Sequence, residues 1–214
     1  GWSMPDEREK FNLAEMAEHF DIQRVSLGGP IFDVTKLRWL NGLWIRESFN
    51  TDQLAAEFQK WAFNSDYLTQ ILPLLQPRLE VLSDVVSLAD FFVAGELALE
   101  PNQFEFGKLE PLQVRKILQF TLWRFEAQRD WTRDEISASL SGLAQAMEFK
   151  LKDFMMPLIV AISGRPAAPS IMDAMDILGS DMTRARLRSA LLVVGQPSKK
   201  ENKAWEKEYR TLSE

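Results

Sequence analysis

Cysteine is absent from the 214 residues, and histidine occurs once, at His19. The first absence removes disulfide scaffolds, cysteine-ligated zinc and thiol catalysis together. The second leaves no histidine cluster for a metal and no second histidine for a proton relay. No run approaches the roughly 18 consecutive apolar residues of a membrane span. The opening residues lack the basic-then-apolar pattern of an export signal. Base is in deficit, with 25 Lys and Arg against 31 Asp and Glu and a formal net charge of −6. That balance argues against a generic nucleic-acid binder, which carries a basic footprint. Apolar residues make up 46% of the chain, including 14 Phe and 7 Trp, enough for a substantial core. The expectation is a soluble, cytoplasmic, acidic globular protein of one large domain or two small ones.

The dominant period is helical, and no stretch alternates cleanly enough to predict a strand. Asn12-Leu-Ala-Glu15, Thr51-Asp-Gln-Leu54 and Thr132-Arg-Asp-Glu135 each read as a capping side chain ahead of an apolar-periodic run. In the first and third, a glutamate three residues on is placed to return the bond. Leu37, Leu40, Trp44 and Ile45 share one face of a helix between Asp33 and Glu47. Val114, Ile117, Leu118, Leu122 and Phe125 repeat the pattern between Glu110 and Gln128. Further helices are expected at Ser65–Leu75, Leu79–Phe92, Leu151–Ser163, Ser170–Leu178 and Met182–Val194. Turn chemistry marks breaks at Leu27–Pro30, Gln76-Pro77, Glu100–Asn102 and Gly164–Pro169. The sequence thus predicts an all-α protein of two helical units, hinged near residue 100 in a linker from Glu96 to Pro111.

Bond-making chemistry has no visible seat. His19 falls at a predicted helix end with no triad partner. Gly28-Gly29 lacks the Lys-Ser/Thr of a phosphate-binding loop and follows no strand, so a tight turn is the plainer reading. Acidic side chains are scattered singly or as helix caps. No catalytic residue and no metal ligand set is expected.

Several longer strings carry a resemblance. The opening GWSMPDEREKF, the Phe20–Gly42 segment FDIQRVSLGGPIFDVTKLRWLNG, Leu75-Gln-Pro-Arg78, Glu126–Trp131, Pro157–Gly164 and Arg186–Leu191 are similar to bacterial-type glutamyl-tRNA synthetases, over roughly residues 1–192. The resemblance is to the part downstream of the family's catalytic nucleotide-binding domain. The class I signatures of that domain do not occur here. It implies a stem-contact segment at 1–49, anticodon-binding subdomains at 50–110 and 111–195, and a tail at 196–214 with no assigned role. It further implies tRNA(Glu) as partner, a monomer, and neither DNA nor membrane. ATP and Mg would serve the parent's catalytic domain, with no cofactor in these residues. This chain alone would be inactive as a ligase.

By the same resemblance, Arg78 matches the position that contacts the third anticodon base. Glutamate anticodons end in cytosine, whose pairing edge offers O2 and N3 as acceptors to a donor-only guanidinium. Guanine, which ends glutamine anticodons, sets donors against donors. From spacing alone the plainer reading of Arg78 is a surface arginine paired with Glu80 or Asp84, and the resemblance turns the balance to base reading. The Gly164–Ile171 loop matches the family's reader of the first two anticodon bases, with Arg165, Ala168, Pro169 and Ile171 as candidates. Here Ile159, Ala168 and Met172 stand where the family can have Arg, Thr and Phe. Ala168 has no side-chain hydrogen bond to offer, and Arg165 is a substitute for it. The plain reading of the loop is a helix–helix turn. Arg184, Arg188, Arg115 and Lys116 are candidates for phosphate contacts, while Arg186 points nearly opposite to Arg184 and Arg188 on the helix. A solvated helix end explains the same charges. Trp205 and Tyr209, four residues apart, are placed to pin the tail to the body. The rival to tRNA recognition is a helical module that docks a protein and no longer reads tRNA.

Overall fold

A computed structural model describes residues 1–29 and 32–213, the side chain of Ser213 excepted. Pro30 and Ile31, in the expected break after Leu27, lie outside the described residues. The described residues form helices and turns with no strand; one bridge joins Phe106 and Leu109. The all-α expectation holds. Two compact units divide between Asn64 and Ser65.

The first unit holds α1 (Leu13–His19), a short 3₁₀ turn at Ile22–Arg24, α2 (Val34–Ser48) and α3 (Thr51–Trp61). Asn12 and Glu15 close the expected capping box on α1: the Glu15 N–H donates to the Asn12 side chain, and the Asn12 N–H to the Glu15 carboxylate. Asp33 caps α2 by accepting from the Lys36 N–H at 3.0 Å. At α3 the cap is Asn50, one residue before the expected Thr51, with Gln53 returning the bond. The asparagine at that position preempts the threonine because its side chain reaches the N–H three residues on. The Trp2 ring packs on Phe11 and Phe20 at centroid distances of 6.1 and 5.8 Å. Lys10 bonds Glu47 at 2.9 Å and lies 5.0 Å from the Trp44 ring centre. His19 ends α1 in solvent.

The second unit holds α4 (Ser65–Leu75), a 3₁₀ turn at Gln76–Arg78, α5 (Asp84–Val93), a 3₁₀ turn at Pro101–Phe104, α6 (Pro111–Ala127), α7 (Arg133–Ala146), α8 (Leu151–Ser163), α9 (Ile171–Val194) and α10 (Lys199–Ser213). Helices α4 and α8 match their expected bounds. α9 is interrupted at Gly179, whose φ of 79° and ψ of 166° are reached at low cost by glycine alone, so the two expected helices are separate segments across a kink. Phe120, Phe125, Leu140, Phe154, Leu158, Met175 and Leu187 are among the buried side chains of a single core. α9 packs on α6, α7 and α8 around it.

Two expectations about organisation need correction. The Glu96–Pro111 stretch is no loose hinge, because Leu99, Phe104 and Leu109 are buried in the same core as the helices on either side. Pro101 starts its 3₁₀ turn, and Glu100 and Gln103 close a reciprocal box around it. Turn-forming residues here build a tight, packed connection. The two compact units divide at Asn64/Ser65, not near residue 100. The helix expected from Leu79 begins instead at Asp84. The Asp84 carboxylate accepts the Glu80 and Val81 N–H groups at 2.9 and 3.0 Å, folding residues 79–83 into a turn. This local bond competes with helix propagation.

Candidate nucleic-acid interface

Arg78 ends the Gln76–Arg78 turn, where Pro77 restricts the backbone and the Leu79 N–H donates to the Gln76 carbonyl. Its side chain is exposed and makes no ion pair among the described residues. Of the acids expected to claim it, Asp84 is occupied by backbone. The two N–H donors from Val81 and Glu80 hold the Asp84 carboxyl below its ordinary pKa. A carboxyl whose pKa is depressed by folding contributes stability at neutral pH and loses it as pH falls through its folded value. The Glu80 and Val81 amides are therefore expected to stay protected from hydrogen exchange from pH 8 down to about pH 5, and to lose protection below about pH 4. Asp84→Ala should abolish their protection at neutral pH; unchanged protection in that variant would show that the turn does not depend on this carboxylate.

The loop after α8 is fixed at successive residues. Gly164 takes the left-handed conformation that ends a helix, with φ of 72°, and its N–H donates to the Val160 carbonyl at 2.8 Å. The Ser163 hydroxyl donates to the Ile159 carbonyl at 2.8 Å and accepts the Arg165 N–H at 3.3 Å. Gln103 donates to the Gly164 carbonyl at 2.9 Å, bringing the supposed linker onto the loop. Arg165 is ion-paired with Asp90 near the C-terminal end of α5.

Within this loop the expected site residues separate. Arg165 and Ala168 are partly exposed, but Pro169 and Ile171 are buried, the latter starting α9 and packing into the core. Their apolar side chains are worth more inside than offered to a ligand. Pro166 and Ala167 are the exposed apolar residues instead. Of the loop candidates, Pro169 and Ile171 thus have side chains turned into the protein.

The proposed phosphate contacts are engaged within the protein. Arg115 donates through Nε to the Gly195 carbonyl at 2.8 Å and through Nη2 to the Gln196 carbonyl at 3.1 Å, and pairs with Glu201 at 3.3 Å. Its guanidinium also lies 5.3 Å from the Trp205 ring centre. Lys116 bonds both carboxylate oxygens of Glu208 at 2.7 and 2.8 Å. These two cations tie α10 to the body. Arg184 lies beside the Trp131 ring, at 5.9 Å, with its Nε buried. Arg188 pairs with Glu126 at 2.6 Å but remains half exposed.

Two residues outside the candidate site organise the region. Asp90 holds Arg165. Arg186 is fully buried and donates to the Gly95 carbonyl at 2.8 Å and to the carbonyls of Phe91 and Ile162. It thereby clasps the C-terminal ends of α5 and α8, where helix dipoles favour a cation. Tyr67 adds a bond to the Phe92 carbonyl at 2.9 Å. The helical phase did place Arg186 opposite Arg184 and Arg188; what that face meets could not be read from it. No periodic signal marks Asp90.

These features define an all-α scaffold in which a braced turn and a tethered loop present arginines at the two ends of one short helix. The chain belongs to the anticodon binding domain family, whose model matches residues 53–191. It is 58% identical over 212 residues to a glutamate–tRNA ligase of Marinomonas sp., covering 99% of this chain and 43% of that protein. A glutamate–tRNA ligase of Marinobacter nauticus is 56% identical with the same coverage. The chain thus spans less than half the length of these relatives. A solved glutamate tRNA ligase from Elizabethkingia meningosepticum shares the fold, with a TM-score of 0.54 and 21% identity over 91% of this chain and 39% of that one. No described helix is long and apolar enough to cross a membrane, and no described group of three His, Cys, Asp or Glu is gathered to hold a metal ion.

Proposed function

We propose that this chain is the tRNA-reading part of a glutamate–tRNA ligase, and that it binds tRNA(Glu) and tests its anticodon. The rest of that ligase would join glutamate to the tRNA at the expense of ATP, with Mg, and this part would add specificity by positioning the tRNA. The Gly1–Phe49 segment is assigned to the tRNA stem and the second unit to the anticodon, with the chain acting as a monomer in the cytoplasm. The observation that carries the reading is the exposed, unpaired Arg78 on a turn braced by Asp84. A guanidinium so placed has five donors and no internal acceptor to satisfy them. Cytosine supplies acceptors at its pairing edge and guanine supplies donors, so Arg78 favours cytosine at the third anticodon position.

Binding of glutamate tRNA transcripts carrying cytosine or guanine at that position tests this directly. The wild-type chain is expected to prefer cytosine by about 1–3 kcal/mol, roughly a tenfold to hundredfold ratio. Arg78→Gln should erode the ratio while leaving the fold intact by circular dichroism. Equal binding of both transcripts by the wild type, or none above a nonspecific level at low salt, overturns the reading. In the second case a protein-docking role becomes the better account.

A further inference from the structure

The tail expected at 196–214 has no part in the anticodon contacts proposed above, yet its helix is built with distinct faces. Ser198 and Glu201 close a reciprocal box at its start. The Ser198 N–H donates to the Glu201 carboxylate at 2.8 Å, and the Glu201 N–H to the Ser198 hydroxyl at 3.3 Å. Trp205 is buried against Phe120, Tyr209 meets Phe120 and Trp123, and Leu212 packs against the same core. Glu201 and Glu208 flank that apolar side and reach Arg115 and Lys116. Cap, rings and ion pairs together fix the rotation of α10 about its own axis, and so fix what it turns to solvent.

That solvent side is positive. Lys199, Lys200, Lys203, Lys207 and Arg210 are all exposed. At about 100° per residue they fall at roughly 0, 100, 40, 80 and 20° around the helix, inside one arc of about 100°. Trp205 and Leu212, at roughly 240 and 220°, point nearly opposite. None of these cations makes an ion pair among the described residues. Glu201 and Glu208 are turned to α6, and Glu206 accepts from the Asn202 amide at 2.7 Å. Lys199 and Lys203, and again Lys203 and Lys207, are like charges four residues apart, a spacing that weakens a helix. Lys199 and Lys200 also occupy the first turn, the end at which the helix dipole disfavours cations. A stripe that costs its own helix stability, in a chain of net charge −6, calls for a counter-charge outside the chain.

We infer that this stripe is a phosphate-binding surface, and that it grips the backbone of the tRNA without reading its sequence. This rests on the tRNA binding proposed above and adds to it a contact separate from the anticodon. From Lys199 to Arg210 the helix rises about 16 Å, at 1.5 Å per residue. A nucleic-acid strand carries a charge about every 3.4 Å along a duplex, so that length spans roughly five phosphates. Lysine suits the task, because its ammonium is a point charge on a flexible stem that meets phosphate from many directions. Lysine-rich amphipathic helices also lie on anionic bilayers, but they do so by burying the apolar face in lipid. Here Trp205 holds that face against α6, which leaves a purely electrostatic surface. An RNA backbone is the polyanion that such a surface matches.

The test uses the whole 214-residue chain and glutamate tRNA transcripts with cytosine or guanine at the third anticodon position, titrated at several salt concentrations. Lys203→Gln, Lys207→Gln and Arg210→Gln are combined in one variant. Glutamine has a helix propensity close to that of lysine and arginine, so α10 should stay folded, with circular dichroism and thermal melts as the check. A control variant removes the same charge elsewhere on the second unit, through Lys108→Gln, Lys150→Gln and Lys152→Gln, all exposed. Each phosphate contact contributes about 0.7–0.9 to the slope of log affinity against log salt. The α10 variant is expected to lower that slope by about 2 and to weaken both transcripts about tenfold at low salt. The cytosine-to-guanine ratio should not change, because phosphate contacts carry no sequence information. Lys203→Arg with Lys207→Arg, which keeps the charge, and the control should both retain the wild-type slope. Three results overturn the inference while leaving the anticodon reading intact. One is an unchanged slope and affinity in the α10 variant. Another is an equal loss in the control, which would reduce the stripe to its share of the overall charge. The third is unchanged tRNA binding beside lost binding to phosphatidylserine vesicles, which would make the stripe a membrane contact. Equal binding of both transcripts by the wild type, with the slope still lowered in the α10 variant, sinks the anticodon reading alone. A wild type that binds neither transcript above a nonspecific level overturns both proposals together.

Discussion

Arg186→Ala is expected to lower the stability of the second unit by about 3–5 kcal/mol, the scale set by breaking a buried charged network. The guanidinium is fully buried and no carboxylate pairs with it directly; three main-chain carbonyls, of Phe91, Gly95 and Ile162, take its place. Alanine leaves these carbonyls without that donor in a buried setting and opens a cavity as well. At about 2–4 °C per kcal/mol for a chain of this size, the loss should appear as a fall in Tm of roughly 6–20 °C. Arg186→Met, which keeps the volume and removes the donors, separates the two costs. If Met restores most of the stability, packing rather than hydrogen bonding dominates. Burial pulls the Arg186 pKa down to about 10, which still leaves it charged at neutral pH. Because folding lowers this pKa, the unfolded chain holds the proton more tightly, and the cost of burying the charge is relieved only as pH rises past about 10. Stability between pH 5 and 8 should not vary on its account, and a calorimetric pH series checks that. A fall of less than about 3 °C in Arg186→Ala would show that α5 and α8 are held together by apolar packing alone.

Trp205→Ala should release α10 from the body. Trp205 is buried, with its ring 6.4 Å from Phe120, and Tyr209 meets both Phe120 and Trp123 at 5.4 Å. Truncating a buried tryptophan costs about 3–5 kcal/mol. That is enough to undock a terminal helix whose remaining ties are the Tyr209 packing and partly exposed ion pairs. The expected outcome is rapid tryptic cleavage within 199–210, while the rest of the second unit stays resistant and folded. Glu208→Gln removes only the solvent-exposed pairing with Lys116, and exposed pairs contribute roughly 0–1 kcal/mol, so its cleavage should stay close to wild type. Equal sensitivity of the two variants would mean that the charges, not the aromatic anchor, hold α10.

The pinned tail shows how much was legible. Trp205 and Tyr209 at helical spacing announced an apolar face, and such a face must be buried somewhere. Their reach onto α6 also decided the fate of Arg115 and Lys116, which the sequence left free to meet phosphate. An arginine's partner is set by what lies within a few ångströms, and Glu201 and Glu208 come from far along the chain. The same limit applies at Asp90, which meets Arg165 from far along the chain, whereas the competition of Asp84 with its helix is local.

By itself the sequence determined what depends on near neighbours: helical period, the Asn12 and Thr132 caps, the breaks at Pro77 and Gly164, the absence of cysteine chemistry, and the strings that mark the family. Helix formation and capping are satisfied within a turn or two, so their signals lie within a few residues of each other. Tertiary structure alone decided that residues 96–111 pack rather than flex, that Pro169 and Ile171 turn inward, and that Arg186 is a buried clasp while Arg78 stays open. Burial and charge pairing depend on surfaces brought together by the whole fold, and no local spacing encodes them.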